Sequence, residues 1–368
     1  MRVSIWWKVL WCSSALGFVA PTHIYGQSVP EWDEQGYSTY ADFAFDTSMV
    51  RSYEHLFGLE SYLQQKDLRL ALYDIEGRPL RFEPPSAIGM GLGFSYRYLA
   101  LSAAVNLLPL RQSAQLEATS FDFQSQVAGK RFLSFITAQL YKGMHSSYKD
   151  VVIADEPQEW LLNDIRVGII GLNNLWALNP RYSFRGSVLR FQRMRYSVGT
   201  PVLGLETQYF HVGAADTTIY PRVIADAFSH PERTKYAVVN LGLGAGYAYT
   251  WRINDRLLLA GIGTLKLPFN MVFHSEGQGG RSAYLSSGLN ACLWLRANYE
   301  RERWSVSFHY IQNKTLIGRN FYENDMQVQT SMARLIFSRR FGINRNFKRQ
   351  LKPVDALLDL PLKILGIK

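Results

Sequence analysis

The segment "WSVSFHY" holds the two residues whose types could act as a nucleophile and its base. Ser307 and His309 are two positions apart, so on a strand both side chains face the same side of the sheet. A serine hydrolase also requires an orienting acid or amide, and the sequence contains no GxSxG pattern. We therefore predict that the chain is not an enzyme, keep a barrel-embedded lipid hydrolase as the least favoured hypothesis, and expect His309 to be an interior side chain.

A second group of chemically notable residues is the arginine-rich stretch "NPRYSFRGSVLRFQRMRYSVGT", residues 179–200. No acidic residue occurs between Ile165 and Leu205. Such a block suits nucleic acid, an anionic lipid surface or the wall of an aqueous interior. Its apolar residues recur at near-helical spacing, which predicts a short amphipathic helix. They are Phe184, Val188, Phe191 and Met194.

Patterns for metals and cofactors are weak in this sequence. The seven histidines are scattered, without HxH, HExxH or CxxC spacing. Acidic pairs such as Asp150 with Asp155, and Glu323 with Asp325, are interpreted as solvated loop carboxylates, with Ca²⁺ as the alternative. The glycine alternations "GMGLG" and "GLGAG" are interpreted as strand glycines, because no helix pattern follows them. We therefore expect no metal and no cofactor.

The first 26 residues have the layout of a secretory signal peptide. Two basic residues precede a short, mostly apolar stretch from Val9 to Ala20, which is too short for a membrane anchor. We place the cleavage site after Gly26, with Ala20 as the alternative. Removing this leader leaves Cys292 as a single cysteine, so we expect an exported protein without a disulfide framework.

Charge divides the remaining chain into three segments. Residues 27–67 carry a net charge of −6, whereas the stretch from Arg339 to Lys368 carries +6. We predict an acidic N-terminal periplasmic segment over 27–67, a barrel over 68–341, and a basic, amphipathic tail over 342–368. The mature chain has no run of about 18 apolar residues, so no transmembrane helix is predicted.

From Leu68 onward the dominant period of the sequence is two. In "VVNLGLGAGYAYTW", apolar residues alternate with small or polar ones from Val239 to Trp251. The segments "IGMGLGFSYR", "LSSGLNACLWLRANY" and "WSVSFHY" repeat this alternation. Alternation of this kind predicts strands with one apolar and one polar face, and therefore an all-β fold.

Three features favour a membrane barrel over a soluble sandwich. Many predicted strands are ten residues or longer, which suits a tilted crossing of a bilayer. Aromatic residues such as Tyr96, Tyr249 and Trp304 cluster at strand ends, as an interfacial girdle requires. The opposite faces hold glycine, serine, asparagine and arginine, which suit a wet lumen. We predict a transmembrane antiparallel up-and-down β-barrel of about twelve strands, in a range of ten to fourteen, with both chain ends in the periplasm.

Short connections alternate with long ones, as periplasmic turns alternate with outer loops. The predicted strands cover residues 68–76, 87–97, 98–107, 118–128, 131–141, 164–177, 200–212, 236–251, 256–267, 282–299, 303–313 and 326–341. The arginine-rich stretch then joins the sixth and seventh strands on the side of the short turns. It is expected to form a plug or gate in the periplasmic mouth, or to be an oversized turn with solvated arginines. Nucleic-acid binding is excluded because the chain is exported and lacks the common binding modules.

Charged and polar residues on the inward faces are candidates for lining or plugging the lumen. We expect the arginines of the stretch to pair with inward carboxylates such as Asp122 or Glu206. The full set of candidates is Arg97, Asp122, Arg185, Arg190, Arg193, Arg195, Glu206, Arg296 and His309.

Three ordered blocks of the sequence resemble an uncharacterised family of outer-membrane barrel proteins. They are "FEPPSAIGMGLGFSYRYLALSAAVNL", "SFDFQSQVAGKRFLSFITAQLYKGMH" and "NPRYSFRGSVLRFQRMRYSVGTPVLGL". This is a domain-of-unknown-function family of Bacteroidetes-type barrels, and the resemblance covers residues 45–341. It implies the barrel fold and the outer membrane of a Gram-negative bacterium, and it carries no assigned activity.

The C-terminal tail departs from the usual ending of such barrels. A last strand that ends on an aromatic residue is the signal read by the barrel assembly machinery, and Phe341 suits this role. However, 27 residues follow it. The tail is expected to be a periplasmic segment, an insert in the lumen or a helix that binds an envelope protein.

The sequence therefore predicts an integral outer-membrane barrel whose partners are the bilayer lipids and the assembly machinery. Its role is expected to be that of a narrow conduit or a structural scaffold. An accessory subunit of a larger envelope complex, which would bind its partner through the tail, is the alternative.

Overall fold

The computed structural model describes most of the chain from residue 56 to residue 356. The described residues are 31–32, 38–39, 50–53, 56–85, 87–96, 99–109, 118–148, 159–188, 192–215, 218–276, 280–301, 303–318 and 324–356. The signal peptide, most of the acidic segment and the end of the tail lie outside them. So do two of the lumen candidates, Arg97 and Arg190.

The described part of the chain is almost entirely β-structure. Its strands are β1 (Glu31–Trp32), β2 (Ser38–Thr39), β3 (Val50–Ser52), β4 (Leu56–Tyr73), β5 (Pro79–Glu83), β6 (Ala87–Tyr96), β7 (Leu99–Pro109), β8 (Thr119–Ala128), β9 (Phe132–Tyr148), β10 (Glu159–Ala177), β11 (Gln192–Met194), β12 (Val198–Gly213), β13 (Arg233–Arg252), β14 (Leu257–Glu276), β15 (Arg281–Glu300), β16 (Trp304–Gly318) and β17 (Asn324–Gly342). Two short α-helices, α1 (Phe184–Ser187) and α2 (Arg345–Gln350), and a 3₁₀ helix over Arg222–Ala227 accompany them. None of the helices in the described residues is long and apolar enough to cross a membrane.

The long strands form one antiparallel sheet that closes on itself into a barrel. Ten strands complete the ring when β5 joins β4 to β9: β4, β5, β9, β10 and β12 to β17. The additional strands β6, β7 and β8 form a second path between β4 and β9. We call the end with the short connections the turn end and the opposite end the loop end.

The predicted antiparallel barrel is confirmed, whereas the count of twelve strands is not. Each predicted strand has a counterpart, but β5 was not predicted and closes the wall by the shorter, ten-stranded path. Strand β4 begins at Leu56, so part of the predicted acidic segment belongs to the barrel. The strand predicted to end at residue 267 continues to Glu276, past Pro268.

The alternation in sequence corresponds to the two faces of the wall. In β13, the odd-numbered residues from Val239 to Trp251 are exposed, while Asn240, Ala248 and Thr250 are buried. Strand β14 alternates in the same way along most of its length. The outward face is therefore apolar, as the pattern predicted, and the inward residues of β13 from Asn240 to Thr250 are polar or small.

The barrel interior is packed at both ends with apolar side chains. The loop-end cluster contains Leu70, Phe82, Tyr148, Phe210 and Val272, together with residues from the 218–228 connection. Other residues form the turn-end cluster, which includes Leu133, Tyr182, Phe184, Met194 and Trp294. Between these two clusters, polar side chains predominate among the described residues of the interior.

The beginning of the tail folds back onto the turn end. Asn344 caps α2, with its side chain accepting a hydrogen bond from the Phe347 backbone nitrogen at 2.8 Å. Phe347 and Leu351 pack against Tyr96, whose hydroxyl accepts a hydrogen bond from Lys348 at 2.6 Å. The start of the tail is therefore part of the barrel mouth.

Candidate functional site

The arginine-rich connection folds into the turn end of the barrel. Ser183 caps α1 by accepting a hydrogen bond from the Gly186 backbone nitrogen at 3.3 Å. Phe184, Val188 and Met194 are almost fully buried in the turn-end cluster. The predicted short helix is confirmed, but it has only four residues, and the chain then continues as β11, which pairs with β3.

Polar contacts fix this arginine-rich connection, which we call the plug, to the surrounding wall. The Ser187 hydroxyl lies 2.6 Å from the Thr250 hydroxyl. The buried Arg296 donates a hydrogen bond of 2.9 Å to the Ser187 carbonyl oxygen. The plug is therefore held from two strands, β13 and β15.

The described arginines of the plug do not make the predicted pairs with Asp122 or Glu206, and Arg190 lies outside the described residues. Arg185 donates a hydrogen bond of 2.8 Å to the Ala128 carbonyl oxygen. The Arg193 guanidinium lies 3.7 Å from the Glu300 carboxylate, and Arg195 is exposed. These residues anchor or border the plug; each described carboxylate predicted as their partner is paired with a lysine.

Glu206 belongs to a buried polar layer in the middle of the barrel. Its carboxylate accepts a hydrogen bond of 2.5 Å from Lys266, and both side chains are almost fully buried. The Asn290 amide donates to Glu206 at 3.4 Å and to Asn240 at 3.2 Å. Asn240 in turn donates to Asn270 at 2.8 Å. Strands β12 to β15 therefore place one charged pair and three amides inside the wall.

Space for the Lys266 side chain comes from glycines on the facing strands. A β-carbon on Gly204 would lie 2.8 Å from the lysine Cε, and one on Gly244 would lie 2.0 Å from the Leu265 carbonyl oxygen. These distances are shorter than ordinary van der Waals contacts. The glycine alternation "GLGAG" therefore has a packing function, as the interpretation of strand glycines required.

A second charged group lies at the turn end. Arg340 forms an ion pair with Glu300, both side chains are almost fully buried, and the guanidinium lies 4.0 Å from the centre of the Tyr53 ring. The Asn298 amide donates to the same carboxylate at 3.3 Å. Strands β15 and β17 and Tyr53, on the N-terminal side of the barrel, are thereby connected.

Asp122 lies at a cavity of about 310 Å³ near β7 and β8. Its carboxylate is 2.6 Å from the Lys66 ammonium and accepts a hydrogen bond of 2.9 Å from Gln139. Arg334 lines the same cavity, donates to Gln64 at 2.8 Å, and stacks over Tyr62 at 4.3 Å. Among the predicted site residues that the structure describes, only Asp122 borders this cavity.

The pair considered for hydrolase chemistry lies inside the barrel but lacks the required contact. Ser307 and His309 are both buried. The Ser307 hydroxyl makes no hydrogen bond with any described residue, so His309 is not positioned as its base. The His309 ring instead contacts Trp294, with ring centres 5.7 Å apart.

The described residues also include one group with metal-ligand types at the loop end. His230, His274 and Glu276 have potential ligand atoms within 4.8 Å of one another. The two imidazole rings lie 4.8 Å apart at an angle of 42°, and His230 lies 3.3 Å from the Glu276 carboxylate. These mutual contacts account for the arrangement, and we assign no ion to it.

A tight turn at the loop end contains Asp74, a carboxyl group whose pKa is shifted by its surroundings. Asp74 accepts hydrogen bonds from Tyr148 at 2.5 Å, from the Arg78 backbone nitrogen at 2.7 Å and from its guanidinium at 2.7 Å. Burial alone would raise the pKa of Asp74, but these hydrogen bonds outweigh it and hold the pKa below its usual value. Asp74 therefore stays ionised and organises the turn between β4 and β5.

Sequence reasoning missed the lysines that complete these sites. Lys66 had been assigned to the acidic segment, and Lys266 was the next-to-last residue of a strand predicted to end before Pro268. A usable signal was present, because Thr264, Lys266 and Asn270 occupy even-numbered positions of the strand, and these positions are buried. Arg334 likewise lies in a predicted strand but was not selected.

A family model described as a domain of unknown function, DUF4421, matches residues 44–341. No curated protein shows significant similarity to this sequence.

Several solved structures align over most of this chain with low identity. The outer membrane protease OmpT from Escherichia coli is 12% identical, with a TM-score of 0.34, and the alignment covers 79% of this chain and 98% of OmpT. The attachment invasion locus protein Ail of Yersinia pestis is 8% identical, with a TM-score of 0.21 and coverage of 77% and 98%. The toluene transporter TodX of P. putida is 8% identical, with a TM-score of 0.19 and coverage of 78% and 90%. These similarities say nothing about activity.

Proposed function

This chain belongs to the DUF4421 family, a domain of unknown function, and we propose that it is an integral outer-membrane β-barrel that acts as a closed scaffold. The alternative from the sequence, an axial conduit, is less well supported by the packed interior. The Gram-negative envelope, the signal peptide and the Bacteroidetes type are parts of the same proposal. Its direct partners are bilayer lipids and the barrel assembly machinery.

The outward face of the wall supports a location in a bilayer. Strands β13, β14 and β15 each have 20 residues, more than the 9–11 needed to cross a membrane at a tilt. Large apolar residues on their outer faces are exposed to an unusual degree: Leu265, Leu267, Phe269 and Leu285 are 58%, 62%, 71% and 77% exposed. Such a continuous apolar surface is stable in lipid and not in water.

Aromatic residues at the turn end support a membrane interface there, and the short connections of this end support its assignment to the periplasm. Tyr247, Tyr249 and Trp251 follow one another along the outer face of β13 near its turn end, and all three are exposed. Aromatic side chains of this kind form the girdle at a membrane interface. Phe341, 40% exposed at the turn end of β17, is compatible with a role as the assembly signal.

The observation that carries the scaffold proposal is the filling of both ends of the interior. The plug formed by the described residues between 178 and 197 occupies the turn end, and the 218–228 connection fills the loop end with Ile219, Tyr220, Ile224 and Phe228. Close-packed apolar side chains at both ends disfavour an aqueous path along the axis. A solute would have to displace one of these clusters to pass along the axis.

Planar bilayer recording of the purified full chain tests this proposal. We expect no discrete conductance steps, with a known open porin as the positive control. Stable steps that recur in independent insertions would overturn the closed scaffold and restore the conduit.

The second candidate function is that of an accessory subunit, and the exposed face of the tail favours it. While one face of this segment packs on the barrel, Arg349 and Lys352 are exposed on the other. An acidic envelope protein would complement this basic face. Pull-downs from native membranes should lose such a partner with R349E/K352E, whereas unchanged partners would exclude this role.

A lipid hydrolase remains the least favoured alternative, and activity lost in S307A would support it.

A further inference from the structure

The wall of the barrel is interrupted where two prolines separate β5 from β6. Strand β5 pairs with residues 70–73 of β4, and β6 pairs with residues 58–65 of the same strand. Pro84 and Pro85 lie in the break between β5 and β6. Proline has no backbone N–H, so neither residue can donate a ladder hydrogen bond here. The chain therefore leaves the wall path of β5 at this point and begins the second path through β6, β7 and β8.

The second path is incompletely paired between β7 and β8. Within the described residues, β7 and β8 pair only through Leu99 with Val127 and Ala100 with Gln126. Beyond these pairs, β7 is paired with β6 alone, and β8 with β9 alone. The wall is continuous again nearer the loop end, where β5 pairs with β9. We call the unpaired stretch between β7 and β8 the seam.

The cavity of about 310 Å³ lies at the seam and reaches the outer surface of the wall. Ser102 and Ala104 of β7 line it, as do Ser120 and Asp122 of β8. Val105 also lines it, yet this residue is 65% exposed and lies on the outward face opposite Met90. The cavity is therefore in contact with both the interior and the outside of the barrel.

The charges at the cavity favour an anion. Lys66 and Arg334 supply two positive charges, and Asp122 supplies one negative charge. The Asp122 Oδ1 atom is buried and has no hydrogen-bond partner among the described residues. A buried carboxylate oxygen without a donor is costly, and a ligand hydroxyl would satisfy it.

Apolar residues lie on the outward side of the seam. Phe121 and Phe123 of β8 are 57% and 40% exposed, and Val105 of β7, on the other side of the seam, is 65% exposed. If the barrel spans a bilayer, as proposed above, these residues contact lipid acyl chains. Free strand edges are unfavourable in a hydrocarbon environment, so a polar group bound at the seam would stabilise them.

We propose that the seam binds an anionic phospholipid whose head group carries a hydroxyl. The phosphate would accept hydrogen bonds from Lys66 and Arg334, and the hydroxyl would donate to Asp122. The acyl chains would leave the cavity over Val105 and Phe121. This inference rests on the proposed bilayer location, and it makes the barrel a lipid-binding scaffold with a lateral entrance.

Native mass spectrometry of the full chain in detergent tests the ligand class. Phosphatidylglycerol, phosphatidylcholine and glycerol 3-phosphate are added separately at equal concentration. We expect phosphatidylglycerol to remain bound at least tenfold more than either of the others, because it alone combines the anion, the hydroxyl and the acyl chains. Equal retention of both phospholipids would overturn the proposal, as would binding of glycerol 3-phosphate at the same level.

Neighbouring positions of β7 provide a matched pair of variants. A104W fills the cavity, whereas A103W adds the same side chain on the outward face, since Ala103 pairs with the exposed Leu92. We expect A104W to lose phosphatidylglycerol by roughly tenfold and A103W to retain it. Equal retention by both variants would show that the cavity is not the site.

Two charge variants keep the proposal testable if A104W fails to fold. R334Q should weaken phosphatidylglycerol binding roughly tenfold, whereas D122N should strengthen it several-fold, because it raises the positive charge and keeps an acceptor oxygen. A purely structural role would weaken binding in both, and this result would overturn the proposal. K314Q, a change on the outward face of β16, should leave binding unchanged. Failure of the parent proposal is distinguished separately, because the wild-type chain would then not fractionate with outer membranes.

Discussion

The wall formed by β13, β14 and β15 differs from the wall formed by β6, β7 and β8, although both follow the same alternation. The first has 20-residue strands that pair along almost their whole length. The second has strands of ten or eleven residues, and β7 and β8 share only two pairs in the described chain. Inside the first wall lies a buried ion pair, and inside the second lies a cavity.

The comparison teaches that alternation determines which face is apolar, while continuous pairing determines whether the interior is filled. In the continuous wall, glycines on neighbouring strands let Lys266 reach Glu206 at 2.5 Å. In the interrupted wall, Lys66 also reaches a carboxylate, Asp122, but both side chains keep partial solvent access, 18% and 16%. The same chemistry is therefore sealed in one region and accessible in the other.

Glu206→Ala is expected to have the largest effect, because it would leave Lys266 charged and unpaired inside the continuous wall. Loss of one partner from a buried ion pair costs about 3–5 kcal/mol. We expect this decrease in the free energy of unfolding, measured by urea titration in lipid vesicles with tryptophan fluorescence. The control is E76A, because Glu76 is exposed and pairs with Arg78 at 2.9 Å, where a loss of about 0–1 kcal/mol is expected. Equal effects of the two variants would contradict a sealed interior.

Gly244→Ala tests the close packing of the continuous wall. We expect it to lower the free energy of unfolding by about 1–3 kcal/mol through overpacking. Its β-carbon would lie 2.0 Å from the Leu265 carbonyl oxygen. Gly263, on the neighbouring strand, is the matched control, because nothing lies within 4 Å of the position of its β-carbon. We expect G263A to keep the stability of the wild-type protein in the same titration. A similar loss in both variants would mean that strand propensity, and not space, decides the role of these glycines.

The sequence was sufficient to predict the continuous wall because the alternation there is local information. Every residue from Val239 to Trp251 was assigned to the correct face, and the strand boundaries differ by only a few residues. Pro268 misled the prediction of the next strand, which continues across it to Glu276 because the neighbouring ladder bonds hold it in place. The alternation of apolar and polar residues continues after the proline, and this was the available signal.

The interrupted wall could not be predicted, because its features depend on contacts between distant segments. The pairing of β5 with β9 joins residues more than sixty positions apart, and no local pattern specifies it. Partners of inward carboxylates pose the same problem. Asp122 and Glu206 were recognised as interior charges, but the choice of lysine over arginine follows from the register of several strands.

Amide hydrogen exchange provides a direct measurement of the difference between the walls. We expect amides in residues 101–105 of β7 to exchange roughly tenfold faster than those of the central part of β14, because one edge of β7 is unpaired there; this ratio corresponds to about 1.4 kcal/mol. Mass spectrometry after deuterium labelling in lipid nanodiscs would measure it. Bound phosphatidylglycerol should slow exchange at the seam and leave β14 unchanged. Uniform protection across β7 and β14 would contradict the seam.

The smallest expected effect concerns the turn that begins β5 and thereby closes the interrupted wall. The pKa of Asp74 is held below its usual value of 3.8 by hydrogen bonds from Tyr148 and Arg78, against the opposing effect of burial. A lowered pKa in the folded state stabilises the protein above the unfolded-state pKa, and this contribution is lost as the pH falls through the folded-state value. We expect a loss below about 1 kcal/mol on acidification from pH 5 to pH 2, since pairs near the surface contribute this much. D74N should remove this part of the pH dependence, whereas D255N, which changes an exposed turn aspartate of the continuous wall, should keep it. If D74N and the wild-type protein lose stability in parallel over this range, Asp74 does not hold the turn through its charge.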